Sequence, residues 1–132
     1  MKRIFTLLLA VLLLFSLATA LTACFDESGE EAVDENATTG EKMALESAKN
    51  YLDLMGFSKK GLIEQLEFEG FTTEEATYAV EHCGADWNEQ AVRVAKSYLE
   101  TMSLSKKALI EQLEFEGFTK EEAAYGAEEA FK

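Results

Sequence analysis

LIEQLEFEGFT occupies residues 62–72 and recurs, letter for letter, at residues 109–119. Leu62, Ile63 and Leu66 fall on one side of a helical wheel, which makes the stretch an amphipathic helix. Ser58 stands where an N-cap belongs, and Phe57 can pack on Leu62 as a hydrophobic staple. Gly70 can adopt the left-handed conformation that ends a helix, with Phe71 at the apolar position of a Schellman ending. Thr72-Thr73-Glu74-Glu75 then reads as a capping box opening another helix. Glu64, Gln65, Glu67, Phe68 and Glu69 are repeated as faithfully, yet neither core nor cap requires them.

The duplication is wider than these eleven residues. At a constant offset of 47, 25 of the 40 positions from Ala44 to Cys83 are identical to their counterparts. Ala44, Ala48, Tyr51, Leu52 and Met55 form one face of a preceding helix, repeated as Ala91, Ala95, Tyr98, Leu99 and Met102. Asp86 caps that second copy, with Glu89 positioned to fold back on it. A third helix buries Ala76, Ala79, Val80 and Cys83. The chain has no proline, as an all-helical protein permits. The expected fold is all-α: two tandem three-helix, helix-turn-helix-like repeats, residues 41–84 and 85–132. Spacing does not distinguish a helix-turn-helix from a plain three-helix bundle. A unit of this size is near the limit for folding alone, so the repeats should pack on each other or be individually marginal, with Trp87 at their junction as the natural seal.

Before the repeats, Met1-Lys2-Arg3 and the apolar run from Ile4 to Ala20 have the layout of a secretory signal. An uncleaved anchor is the alternative. Leu21-Thr22-Ala23-Cys24 resembles a bacterial lipobox, which implies cleavage after Ala23, removing residues 1–23. It also implies a covalent diacylglycerol on Cys24, with or without an N-acyl group. More than one acyl chain gives stable anchoring. Residues 24–40 then form a flexible acidic tether, with six acidic side chains and no basic ones between Phe25 and Gly40. Losing Lys2 and Arg3 leaves 10 basic against 25 acidic side chains, a net charge of −15. Such a charge opposes nucleic-acid binding and attracts basic partners. It also leaves the acyl chains to hold the membrane alone.

Little in the repeats suggests catalysis. Gly70 and Gly117 punctuate helices rather than cradle phosphate, and the glutamates suit solvated helix faces. His82 and Cys83 do not make a metal site; Cys83 aligns with Ala130 and reads as a small buried residue. No enzyme activity, cofactor or metal is expected. The candidate partner-binding residues are Glu64, Glu67, Phe68 and Glu69, with Glu111, Glu114, Phe115 and Glu116. Phe68 lies nearly opposite the leucine stripe, where an exposed aromatic can anchor an interface. Two plainer readings compete: both phenylalanines pack against a neighbouring helix or the other repeat, or the identity reflects recent duplication.

SKKGLIEQLEFEGFT and CGADWNEQA, within the wider repeat, resemble the repeat of the Ltp-type host cell surface-exposed lipoproteins. Those proteins join a lipobox signal, a polar linker and tandem helix-turn-helix-like repeats. The resemblance covers residues 41–132; Gly56-Phe57 departs from its own second copy, Ser103-Leu104. It implies a lipoprotein on the outer face of the cytoplasmic membrane of a Gram-positive cell. It also implies a role in superinfection exclusion, blocking DNA injection by other phages. The implied target is injection machinery rather than DNA, and a basic segment of a phage tail or injection protein would suit the charge. The alternative is a chromosomal cell-envelope module with a host wall or exported-protein ligand.

Overall fold

The computed structural model describes residues 34 and 36–132. The signal run, the Ala23–Cys24 site and most of the tether lie outside these residues. Six helices follow: α1 Thr39–Leu54, α2 Lys59–Phe68, α3 Thr73–His82, α4 Trp87–Thr101, α5 Lys106–Phe115 and α6 Lys120–Ala130. They divide into two three-helix repeats, α1–α3 and α4–α6.

Local sequence explains where the helices begin. Thr72 and Thr119 accept from the backbone N–H of Glu75 and Glu122, whose carboxylates bond back to the cap residues. Thr38 and Glu41 make a third such box, so α1 starts earlier than expected. Thr38–Gly40, read from the sequence with the tether, belong to the folded repeat. The box expected at Asp86 closes on one side only: Asp86 accepts from the N–H groups of Asn88 and Glu89. Met55 and Met102 also depart from expectation. Each is the extended residue just past its helix, and they are 38% and 41% exposed rather than buried.

The ends of α2 and α5 are full Schellman endings. Phe71 N–H bonds Leu66 O at 3.2 Å and Gly70 N–H bonds Glu67 O at 3.0 Å; Phe118 and Gly117 repeat both bonds at 3.2 and 3.1 Å. Gly70 and Gly117 have φ of +103° and +98°, a conformation that costs other residues energy.

Within each repeat the first helix packs chiefly on the third. Ala44 and Ala48 are fully buried in one core with Ala76 and Ala79; Ala91 and Ala95 are buried with Ala123 and Ala127 in the other. Small side chains let these backbones approach closely. At Gly126 a Cβ atom would come within 2.8 Å of Ala91, so α4 and α6 touch without room for a methyl group. The middle helix fills the open side: Leu62, Leu66, Leu109 and Leu113 are the largest fully buried side chains.

The repeats meet head to tail. Ser58 Oγ accepts from Gly61 N–H at 2.9 Å, capping α2, and donates to Glu116 O at 2.5 Å, at the end of α5. Gly117 lies against Ser58 and Lys60, where a Cβ would be 2.9–3.0 Å from both. On the other side, Arg93 of α4 donates to the carbonyls of Leu52 and Asp53, supplying α1 with a cationic C-terminal cap. Gln90 Oε1 accepts from Phe57 N–H at 3.4 Å. Gly56 fits under Val94, where a Cβ would lie 2.7 Å from the valine methyl. Trp87 packs on the core of the first repeat.

The matching turn of the second repeat is largely exposed. Ser105 caps α5 through Ala108 N–H at 3.2 Å and is exposed, whereas Ser58 is only 3% exposed. We therefore expect Ser58→Ala to cost about 2–4 kcal/mol, combining a lost cap with a buried carbonyl left unbonded. Ser105→Ala should cost about 1 kcal/mol. Urea denaturation of the two variants checks this; equal losses would contradict the shared role of Ser58.

Candidate protein-interaction surface

The outer faces of α2 and α5 carry the repeated residues that neither core nor cap explains. Phe68 and Phe115 are 68% and 77% exposed. They pack into neither a neighbouring helix nor the other repeat, which overturns the packing reading. Each is the last residue of its helix, on the side away from the buried leucines.

The eight candidate residues do not form one uniform site. Glu64 and Glu111 are exposed and each lies 3.8 Å from a lysine one turn earlier, Lys60 and Lys107. Pairs of this kind on an exposed helix contribute only a few tenths of a kcal/mol, about 0.3–0.5. Glu67 accepts from Thr73 Oγ1 at 2.6 Å; the counterpart of Thr73 is Lys120, and Glu114 is exposed. Glu64 and Glu67 also line a groove of about 460 Å³ where α2 meets the start of α6, with Ile63 and Glu122.

Glu69 and Glu116 have an internal task that the sequence reading missed. Tyr51 donates its hydroxyl to Glu69, and Tyr98 to Glu116. Gln65 Nε2 donates to the Tyr51 hydroxyl at 3.3 Å, and Gln112 Nε2 to that of Tyr98 at 3.2 Å. The network ties the first helix of each repeat to the end of the second. Its signal was available: Tyr, Gln and Glu are all retained in both copies at the same offset. Gln65 and Glu69 are thus explained by the fold. Glu64, Glu67 and Phe68, with Glu111, Glu114 and Phe115, remain as the outward-facing set.

Burial separates the two networked glutamates. It raises the carboxyl of Glu69 above its ordinary value, and raises that of Glu116 to about 7. Glu116 lies half-buried at the junction of the repeats, while Glu69 is exposed. The Tyr98 hydroxyl favours the carboxylate, but loss of hydration outweighs it.

Third-helix residues add nothing to this surface. His82 is exposed and stacks on Tyr78 with ring centroids 4.0 Å apart. Cys83 is half-buried and donates its thiol to Val80 O at 3.3 Å. Among the described residues, no helix is long and apolar enough to cross a membrane.

Residues 40–83 and 86–129 each match the family described as host cell surface-exposed lipoprotein, one match per repeat. The chain belongs to that lipoprotein family. Its structure is similar to that of Ltp, a superinfection exclusion protein from the Streptococcus thermophilus temperate phage TP-J34, at 37% identity and a TM-score of 0.66. The likeness covers 70% of this chain and 96% of that one. No curated protein matches significantly. Membership of the surface-exposed lipoprotein family places the chain among lipoproteins of the cell surface. The family boundaries fall where the structure divides: the first match ends at Cys83, the C-cap of α3, and the second begins at Asp86, the N-cap of α4.

The Glu116 carboxyl, raised in the folded chain, sets a pH dependence. Below about pH 4.5 both folded and unfolded chains hold the proton. As pH rises from 4.5 to 7 the unfolded chain ionises first, so this group's contribution to stability declines and is gone above 7. Glu116→Gln removes the titration. Measured by urea denaturation between pH 4.5 and 8, the variant should gain on the parent by on the order of 2 kcal/mol as pH rises. A difference that stays flat with pH would refute the raised value.

Proposed function

We propose that this chain is a lipid-anchored surface protein that excludes superinfecting phage by blocking entry of their DNA through a protein partner. The observation that carries the reading is the likeness to a phage exclusion protein over both repeats, within a family of surface-exposed lipoproteins. The basic n-region, apolar run and Leu21-Thr22-Ala23-Cys24 support cleavage after Ala23 and diacylation of Cys24. They support anchoring on the outer face of the cytoplasmic membrane of a Gram-positive cell. No other cofactor or metal enters the proposal.

The partner we propose is a basic segment of a phage tail or injection protein. A mature charge of −15 attracts such a segment over a distance comparable to the Debye length, about 8–10 Å at physiological salt. The exposed glutamates of α2 and α5 supply local charge, and Phe68 and Phe115 supply apolar anchors. DNA is excluded as the direct target by the same charge.

Expression of the full chain and of its Cys24→Ala variant in a phage-sensitive Gram-positive host tests the reading, with adsorption and DNA entry measured separately. We expect normal adsorption in both, and DNA entry reduced at least about tenfold only when Cys24 is intact, since a single lost anchor dilutes the domain away from the surface. Unchanged entry across a broad phage panel would instead favour a cell-envelope module with a host wall or exported-protein ligand.

A further inference from the structure

The two repeats have not diverged evenly. On α1 and α4, five aligned positions are exposed in both copies: Lys42/Glu89, Glu46/Arg93, Asn50/Ser97, Asp53/Glu100 and Leu54/Thr101. All five differ. On α2 and α5, five aligned positions are likewise exposed in both copies, and all five are identical: two lysines, two glutamates and the phenylalanine. The Glu46/Arg93 difference follows from the bonds of Arg93 to the end of α1; at the other positions recent duplication would leave both sets alike, because exposed positions drift together when nothing outside constrains them. The lysines have internal partners, Lys59 with Glu81 and Lys106 with Glu128 among them. Phe68 and Phe115 have none in the fold, and leaving a large aromatic exposed twice opposes solubility.

We infer that α2 and α5 carry two docking sites of the same kind, each centred on its exposed phenylalanine, and that the partner presents the same basic, apolar-anchored segment at least twice. The occupant is positively charged because the chain is strongly negative overall and, with Glu64 and Glu111 each beside a lysine, an exposed carboxylate without a lysine partner, Glu67 or Glu114, still precedes each phenylalanine. The occupant is repeated because the sites are. The junction between repeats fixes their spacing. Ser58 at the start of α2 bonds Glu116, next to Phe115, and Phe68 lies at the far end of α2. Ten residues of helix span about 15 Å, so the two aromatics sit on the order of 15–20 Å apart. One oligomeric partner can therefore reach both, and its second contact forms at a high effective concentration.

This inference rests on the proposed function only in requiring a protein partner, and its test needs no phage. The probe is a 12-residue peptide, about that length being enough to cover one helix face, of alternating lysine and serine with one central leucine. It is titrated as a monomer, and as a tandem dimer, into the full isotope-labelled chain in nanodiscs of zwitterionic lipid. A Gly-Ser linker of about 12 residues spans roughly 20 Å. We expect the monomer to shift amide signals around both Phe68 and Phe115 with similar affinity. The dimer should bind at least about tenfold more tightly, and Phe68→Ala or Phe115→Ala should each return it to the affinity of the monomer. Shifts confined to one repeat, a dimer no tighter than the monomer, or no binding at either face would overturn the two-site arrangement. Peptide binding at both faces in a chain that excludes no phage would refute the exclusion reading alone.

Discussion

One hydroxyl serves two helix ends in this protein. Ser58 caps the start of α2 and, in the same position, donates to the carbonyl that closes α5. The bond is short-range and buried, so it holds only if the backbones around it approach closely. Gly117 permits that approach because it carries no Cβ to strike Ser58 or Lys60. Arg93, Gln90 and Gly56 secure the other side of the same turn. Together they fix the orientation of two units that, at under fifty residues each, have too little core to be strongly stable apart.

A head-to-tail contact of this kind is asymmetric, and the asymmetry accounts for much of the difference between the copies. The first repeat gives its turn and the second receives it, so matching positions face different surroundings. Gly56 is constrained by Val94, and its counterpart Ser103 is exposed. Gly61 lies close to Ser58 and Glu116, and its counterpart is Ala108. Arg93 reaches the end of α1, and its counterpart Glu46 is exposed. What each repeat needs internally has stayed the same: the leucine pair, the Schellman glycine and the tyrosine–glutamine–glutamate network. Glu116 differs from Glu69 for the same reason, since it lies half-buried at the junction and loses water there, while Glu69 is exposed.

The functional proposal follows from what is left over once these internal needs are met. The family sets the class and the cell-surface location. The fold then removes Glu69 and Glu116 from the list of free surface charges and leaves each phenylalanine with its two flanking glutamates. With the proposed lipid anchor, an acidic domain with two exposed aromatics at a fixed spacing would be suited to catching a basic chain near the membrane, where electrostatic attraction brings it in and apolar contact retains it.

The amino-acid sequence by itself determined the all-α class, the two repeats, most helix starts and both glycine endings. These depend on local chemistry: a threonine or serine before a helix, a glutamate three residues on, a glycine free to take positive φ. It also marked the leucines of α2 and α5 as core, because helical periodicity places them on one face. It did not reveal that Met55 and Met102 lie just outside their helices, or that Asp86 caps without a reciprocal bond. The exposure of Phe68 and Phe115, the engagement of Glu69 and Glu116 by tyrosines, and the double duty of Ser58 were decided only by tertiary structure. Each depends on which groups from distant parts of the chain come within a few ångströms of one another, and no local spacing encodes that distance.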